Sequence, residues 1–215
     1  MDLEKMDEFF NKRVNMYDDH MLNEVEGCRE GYKRMAEQIP DSTKKLLDLG
    51  CGTGLELDKI FRRLPDVEVT GIDLSKGMLD RLREKYNDKK IKLIQSHYFG
   101  YNFGIGIFDT AISFQTLHHF SHEEKTILYT KIYKSLNSRG LYIECDYMAN
   151  TQEEEDFYFA ENKRLRSEMG IKGGFYHYDT PCTIDNQIKM LNTAGFKRVE
   201  KLWQQAATVL LVAQK

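Results

Sequence analysis

Apolar residues recur along the chain with two spacings, and the clearest change between them lies at residues 46–64. Residues 46–49 form a short apolar run typical of a buried strand, whereas the apolar positions of residues 55–64 repeat at helical spacing. Glycines at positions 50, 52 and 54 separate the two patterns. This stretch therefore predicts a strand, a tight turn and a helix.

The same alternation continues through the rest of the chain. Further strands are predicted over residues 67–73, 91–95, 107–114, 141–145, 196–203 and 206–213, with helices over 75–86, 121–136, 151–169 and 183–194. Turns are expected at residues 137–140 and near Gln204 and Gln205. Regular alternation of strand and helix predicts an α/β fold with a mostly parallel sheet.

Residues 1–43 repeat their apolar positions at helical spacing and predict an N-terminal helical cover. The acidic step from Tyr17 to His20 interrupts the repeat, so a break between two helices is expected there. Two interpretations remain open. The helices either only cover the sheet, or lie across a ligand site and exclude water from it, with Tyr17 and His20 near that site.

The turn at residues 50–54 has the properties of a ligand-binding loop. Glycine adopts positive φ readily and lets a ligand approach the backbone, and the following helix offers free N–H groups at its start. A dinucleotide site would need a third glycine three residues after the second, whereas position 55 is Leu. The match to a dinucleotide site is therefore poor, and a turn without a ligand is the alternative.

Three runs carry a resemblance to a known family. LDLGCGTG resembles the first motif of the class I S-adenosylmethionine-dependent methyltransferases, GIDLS resembles their second motif, and FDTAISFQTLHHF is similar to their fourth strand and the loop after it. The resemblance implies a Rossmann-like, seven-stranded, mostly parallel sheet with helices on both faces and an antiparallel terminal strand. It also implies S-adenosyl-L-methionine as the cofactor and methyl transfer as the reaction.

Asp73 ends the second predicted strand, where open α/β sheets bind ligands and a carboxylate can accept hydrogen bonds from a ribose diol. The resemblance implies that residues 50–54 hold the amino-acid end of the cofactor and that Asp48 fixes the loop or the cofactor's amino group. His97 stands where the family usually places an acid facing adenine, and Tyr98 is an alternative neighbour of that ring. The predicted cofactor-binding residues are Asp48, Gly50, Cys51, Gly52, Thr53, Gly54, Asp73, Leu74, Met78, His97, Tyr98 and Gln115.

Two adjacent histidines follow the fourth predicted strand. An imidazole of near-neutral pKa can take a proton from an acceptor, so His118 and His119 are candidate general bases, with His119 preferred. Tyr17 is the third candidate catalytic residue. A structural role for both histidines remains open, because members of this family often need no base at a reactive sulfonium.

Composition adds limits to this picture. The 215 residues carry a formal net charge of −3, and the length predicts one domain: a cover over 1–43, a cofactor-binding core over 44–150 and acceptor-side helices with a terminal hairpin over 151–215. Four scattered cysteines without a C-x-x-C pair predict neither disulfides nor a metal site. The chain shows no signal peptide or membrane-spanning run, so a cytoplasmic monomer or homodimer is expected.

The acceptor is the least defined part of the prediction. Residues 170–181 break the periodicity at an insertion where the family places much of its acceptor recognition, and Tyr176, His177 and Tyr178 are candidate pocket residues. A small molecule methylated on oxygen or nitrogen is the first choice. Residues near both ends also look like the enzymes that modify wobble uridine in transfer RNA with a carboxylated cofactor, so transfer RNA is the second choice. A cofactor-binding protein without catalysis is the third.

Overall fold

A computed structural model describes residues 2–215 of the chain. Its helices are α1 Met6–Asn23, α2 Cys28–Gln38, α3 Leu55–Arg63, α4 Lys76–Lys85, α5 His122–Ser135, α6 Gln152–Glu168 and α7 Ile184–Ala194. Its strands are β1 Lys45–Leu49, β2 Glu68–Asp73, β3 Ile91–Gln95, β4 Phe108–Phe114, β5 Leu136–Tyr147, β6 Arg198–Gln205 and β7 Thr208–Gln214. Within the described residues, no helix is both long and apolar enough to cross a membrane.

The strands form one seven-stranded sheet in the order β3-β2-β1-β4-β5-β7-β6. Only β7 is antiparallel to its neighbours, so the predicted mostly parallel Rossmann-like sheet is confirmed. The strand order reverses between β1 and β4, and open α/β sheets bind ligands in the crevice at such a switch point. This topology places the loop after β1 beside the loop after β4.

Successive residues of the central strands enter two separate apolar layers, as the period of a strand requires. Leu46, Ile112 and Ile143 belong to one layer, together with side chains of α2 and α3. Leu47 and Tyr142 belong to the other, together with side chains of α5 and α7. Both faces of the sheet are therefore covered, which explains why the strand sequences are nearly continuous apolar runs.

The N-terminal helices confirm the predicted cover, but the expected break at residues 17–20 is wrong. α1 continues through these residues, because Asp18 is bound by the Thr53 hydroxyl and pairs with Lys85 at 2.8 Å. The break lies instead at residues 24–27, where Gly27 has a φ of 87° and starts α2. The Thr208 hydroxyl fixes this linker by donating to the backbone oxygen of Glu26 at 2.7 Å.

Two predicted turns lie inside strands of the structure. β5 begins at Leu136 rather than Leu141, because Phe108 of β4 pairs with Leu136 across a shift in register. The turn of the terminal hairpin lies at residues 206–207, where Ala206 adopts a φ of 48°, rather than at Gln204 and Gln205. Neither shift changes the order of the strands.

Candidate functional site

The glycine loop after β1 closes tightly against the end of β2. The backbone N–H of Gly50 donates to the oxygen of Ile72 at 2.8 Å, and Gly50 has a φ of 70°. A Cβ atom at this position would lie 2.6 Å from the Tyr98 hydroxyl, with the Thr116 side chain closer still. Both the conformation and the space at Gly50 therefore require glycine.

Asp73 fixes this loop from the end of β2. Its Oδ2 accepts from the backbone N–H of Gly52 at 3.0 Å, and its Oδ1 accepts from that of Ser75 at 2.8 Å. Burial raises the pKa of Asp73 to about 6, although these backbone donors oppose the shift. An ionised carboxylate has about four acceptor positions. Asp73 thus keeps acceptor capacity for hydroxyl groups of a ligand.

Asp48 and Glu56 form a buried acidic pair beneath the loop. Asp48 is 1% exposed, and neither its Oδ2 nor the Oε1 of Glu56 has a hydrogen-bond partner. Burial and the neighbouring Glu56 raise the pKa of Asp48 well above its usual range, and burial raises the pKa of Glu56 to about 7. Because buried polar atoms normally have partners, the pair fits a ligand that brings an ammonium group.

α1 lies directly over the loop. The ring of Tyr17 approaches to 3.7 Å from the position that a Cβ on Gly52 would take. Asn11 holds the same helix to the start of α4 by accepting from the backbone N–H of Gly77 at 2.9 Å and from the Ser75 hydroxyl at 2.8 Å. Burial raises the pKa of Tyr17 far above its usual value, so its hydroxyl stays protonated. His20 is exposed and paired with Glu24, and it lines the cleft beside the loop.

Other predicted cofactor residues are held by the protein itself. The Cys51 side chain is buried under Gly71 in the core, so only its backbone faces the loop. The Thr53 hydroxyl donates to Asp18, and Gly54, with a φ of 74°, starts α3. Met78 is 1% exposed, and Leu74 is half-buried.

His97 and Tyr98 occupy the turn after β3. Nδ1 of His97 accepts from the backbone N–H of Gly100 at 3.1 Å, which leaves Nε2 as the protonated nitrogen in a neutral ring. His97 is exposed, and its free Nε2 could donate a hydrogen bond but could not accept one as the acid of the family does. The Tyr98 hydroxyl lies 2.6 Å from Oγ1 of Thr116 and above Gly50, and its ring belongs to the core.

A cleft of about 970 Å³ opens between α1, the linker to α2, and the carboxyl ends of β4 and β5. Tyr17 joins the two regions, since it lines the cleft and also contacts the glycine loop. The aromatic and polar residues that line the cleft include Phe9, Phe10, Arg13, Tyr17, Gln115, His118, His119, Tyr147, His177 and Asp179, with Asp19, Glu24 and Glu26 at its rim. A pocket of this size suits a small molecule.

Gln115 connects the end of β4 to the terminal hairpin. It adopts a φ of 47°, an uncommon conformation for a residue with a side chain. Its Nε2 donates to the Thr208 hydroxyl at 3.2 Å, and its backbone N–H donates to Cys145. Gln115 also lines the cleft.

The two predicted catalytic histidines meet in this wall but differ electrostatically. Nδ1 of His118 lies 2.5 Å from Oδ1 of Asp146. Burial opposes a charge on His118, but the charges of Asp146 and Asp179 outweigh it and raise the pKa of His118. Burial lowers the pKa of His119 well below its usual value, and His118 and His177 add to the effect. His119 therefore stays neutral, with Nδ1 3.2 Å from the backbone oxygen of Tyr178.

The loop at residues 170–181 completes the wall with one expected residue and one that sequence reasoning missed. His177 stacks on Phe9 at a ring distance of 3.5 Å and lines the cleft, whereas Tyr176 lines a smaller neighbouring pocket. Asp179 was not predicted, although it lies in the same loop as His177. Its Oδ1 is buried without a hydrogen-bond partner and lies 3.5 Å from Nε2 of His118.

Comparison with known proteins gives a family match over part of the chain and similar proteins over nearly all of it. Residues 46–140 match a family model described as a methyltransferase domain. Two similar curated proteins are named carboxy-S-adenosyl-L-methionine synthase. The one from Nautilia profundicola is 24% identical over 97% of this chain and 95% of its own length. The one from Campylobacter hominis is 25% identical over 100% of this chain and 97% of its own length.

Among solved structures, human N-acetylserotonin methyltransferase in complex with S-adenosylmethionine is similar over 97% of this chain, with a TM-score of 0.69 and 13% identity. The match covers 56% of the human chain. This chain thus corresponds to little more than half of that larger protein, and the likeness establishes the fold.

Proposed function

We propose that this chain, an S-adenosylmethionine-dependent enzyme of the class I methyltransferase family, transfers the cofactor's methyl group to oxygen or nitrogen of a small molecule. The observation that carries the proposal is the position of the cleft. It opens at the carboxyl ends of β4 and β5, and it meets the glycine loop at Tyr17. An acceptor in this cleft would lie next to a cofactor held by the loop.

The residues of the loop fit the cofactor chemically. Asp73 has free acceptor positions for the ribose hydroxyls, and the unpartnered oxygens of Asp48 and Glu56 suit the amino group. The backbone of residues 50–54 would follow the amino-acid part. When bound, S-adenosylmethionine supplies a methyl group on a positively charged sulfur, which is already reactive towards a lone pair.

The protein would contribute mainly alignment and the exclusion of water. Effective molarities for well-oriented groups correspond to roughly 7–11 kcal/mol of the barrier. Tyr17 and the rest of α1 cover the loop, and Phe9 and Phe10 give the acceptor an apolar surface. A proton released by a hydroxyl or amine acceptor would leave at the wall that contains His118 and His119.

The charge around the cleft supports a small molecule over transfer RNA. Phosphate recognition needs several unpaired Lys or Arg side chains, whereas the rim carries Asp19, Glu24 and Glu26. Arg13 is the cation in the lining, and it already pairs with Glu4 at 3.2 Å and stacks on Phe9 at 3.6 Å.

Synthesis of carboxy-S-adenosyl-L-methionine is a second candidate, because the proteins with that name match nearly the whole chain. That product adds a carboxylate to the cofactor. The acidic rim and the paired state of Arg13 are unfavourable for such a group, so methyl transfer remains the first candidate.

One experiment separates the candidates. The purified chain is incubated with methyl-labelled S-adenosylmethionine and either small-molecule extract or transfer RNA, and products are identified by mass spectrometry. We expect S-adenosylhomocysteine and a labelled small molecule. Label in transfer RNA, or conversion of the cofactor to its carboxylated form, would contradict the proposal, as would tight cofactor binding without any product.

A further inference from the structure

Three histidine nitrogens converge on one carboxylate oxygen in the cleft wall. Oδ1 of Asp179 lies 3.3 Å from Nδ1 of His119, 3.5 Å from Nε2 of His118 and 4.0 Å from Nε2 of His177. The ligand atoms of His118, His119 and Asp179 all lie within 4.8 Å of one another. None of these contacts gives Oδ1 of Asp179 a hydrogen bond.

We propose that His118, His119 and Asp179 bind a divalent transition-metal ion, with His177 as a further ligand. Bonds of about 2.0–2.1 Å in a tetrahedral zinc site separate neighbouring ligand atoms by about 3.3–3.4 Å. The two shortest distances from Asp179 fall close to that separation, whereas they are too long for strong hydrogen bonds to a carboxylate. The side chains are thus already spaced as they would be around a cation.

The surroundings of His118 support the same assignment. A metal-binding histidine usually donates its other ring nitrogen to a carboxylate or carbonyl, which fixes the ring. Nδ1 of His118 lies 2.5 Å from Asp146, and Asp146 is itself held by the backbone N–H groups of Leu117 at 2.9 Å and Tyr147 at 2.8 Å. The contact with Asp146 therefore fixes the His118 ring with its Nε2 facing Asp179.

His119 must give up one contact to bind the cation. Its Nδ1 also lies 3.2 Å from the backbone oxygen of Tyr178. On binding, the lone pair of Nδ1 would face the metal and the ring proton would move to Nε2. Two or three imidazoles with one carboxylate favour Zn²⁺ or a similar transition metal over Mg²⁺ or Ca²⁺, which prefer oxygen ligands.

A second group, formed by His122, Glu155 and Cys182, has similar ligand spacing but is already satisfied. Nε2 of His122 lies 2.6 Å from Oε1 of Glu155, and that carboxylate also accepts from Asn186 at 2.9 Å. Lys125 donates to Cys182 at 3.2 Å. This group serves as the internal control for metal binding at His118, His119 and Asp179.

The role of the metal ion in the reaction rests on the proposed function, whereas the metal site itself does not depend on it. A cation at this wall would face an acceptor in the cleft and coordinate its hydroxyl oxygen, and the proton lost from that hydroxyl would pass to solvent in the open cleft. Coordination makes a hydroxyl more acidic. His118 and His119 would then assist loss of the acceptor's proton as metal ligands rather than as bases.

The test is calorimetric titration of chelator-treated full-length protein with Zn²⁺, without cofactor or acceptor. We expect one saturable site in the unmodified chain and at least about tenfold weaker binding in Asp179→Asn and His177→Gln, since each removes a ligand. Both residues are partly exposed, so the variants should fold, which thermal melting checks. His122→Gln is the matched control and should bind as the unmodified chain does.

The absorption of bound Co²⁺ gives a second readout, because four-coordinate nitrogen and oxygen ligation produces visible bands that hydrated Co²⁺ lacks. Absence of saturable Zn²⁺ binding, unchanged affinity in folded Asp179→Asn, or an equal loss in His122→Gln would overturn the inference. Methyl transfer without metal binding would overturn it while leaving the proposed function intact. Metal binding at this wall without transfer would support the inference and count against the proposed function.

Discussion

The backbone N–H of Gly52 donates to Oδ2 of Asp73 at 3.0 Å and ties the loop after β1 to the end of β2. The two residues are separated by 21 positions in the sequence but share one crevice at the edge of the sheet. Because Asp73 is also the predicted ribose ligand, the group that would bind the cofactor also shapes the loop that would hold it. Substitutions at Asp73 should therefore affect both cofactor binding and the conformation of the loop.

Asp73→Asn should weaken S-adenosylmethionine binding about tenfold or more. Hydrogen bonds to a charged acceptor contribute roughly 1.5–3 kcal/mol each, and the amide keeps the shape of the side chain while losing its charge. Isothermal titration calorimetry measures the change, with the exposed Asp66→Asn as control. Unchanged affinity in Asp73→Asn would remove this residue from the cofactor site.

Cofactor affinity should fall as the pH drops through about 6, the value to which burial raises the pKa of Asp73. Below that pH the carboxyl gains a proton and loses acceptor capacity and charge. Titrations at several pH values should show this fall in the unmodified chain. Asp73→Asn should lack that component, and an identical pH profile in the two proteins would contradict the assignment.

Gly50→Ala should lower the free energy of unfolding more than Gly106→Ala does. Both glycines have positive φ, at 70° and 65°, and a residue with a side chain loses roughly 1–2 kcal/mol in this conformation. A Cβ at Gly106 meets no atom within 4 Å, whereas one at Gly50 would press on Tyr98 and Thr116. Crowding of this kind adds about 1–3 kcal/mol. Chemical denaturation measures both variants, and equal losses would show that the loop has room at Gly50.

The protein should become less stable as the pH rises towards about 8, because the buried Glu144 side chain must then lose its proton. Burial and the charge of Asp146 raise the pKa of Glu144 from 4.5 to about 8, so between these values the folded chain holds more protons than the unfolded chain. The free energy of unfolding then falls with pH across that interval.

The comparison for Glu144 is Glu144→Gln, which keeps partners for Tyr129 and Gln187 but does not titrate. Unfolding by denaturant at several pH values should show a smaller decline in this variant. A decline as steep as that of the unmodified chain would assign the pH dependence to other groups.

Asn11→Ala should loosen α1 over the glycine loop, because it removes the acceptor used by Gly77 and Ser75. Each lost hydrogen bond corresponds to roughly 0.5–1.5 kcal/mol. Hydrogen exchange of α1 amides should become faster, while exchange in the sheet stays the same. Asn11→Asp retains a carboxyl acceptor and should exchange more slowly than the alanine variant. Equal exchange in Asn11→Ala and the unmodified chain would show that α1 is held by other contacts.

The features that could be predicted from the sequence are those determined by residues close together along the chain. The glycine turn, Asp73 and most strands follow from local spacing and turn chemistry, and the structure places them as expected. The position of the break in the N-terminal helices did not follow, because Asp18 finds its partners Thr53 and Lys85 only in the folded chain. From the sequence alone, the acidic residues at this point predict a break in the helix, because nothing shows that Asp18 has partners there.

The wall of the cleft that contains His118 and His119 shows the same contrast between local features and contacts made on folding. His118 and His119 are adjacent and could be identified from their place after β4. Asp179 comes from a loop about sixty residues further along the chain, and the contact of His118 with Asp179 depends on how that loop folds back. The contrast between the two histidines also depends on Asp146, which only the sheet brings to His118.

The hydroxyl of Thr208 donates to Glu26 and accepts from Gln115, which lie 182 and 93 positions away. During synthesis on the ribosome, the linker and the end of β4 emerge long before β7. The cleft cannot be complete in a nascent chain that has made the glycine loop but not the hairpin, because Ala206, Ala207 and Thr208 line it. The wall that Thr208 and its neighbours supply is therefore the last part of the cleft to be synthesised.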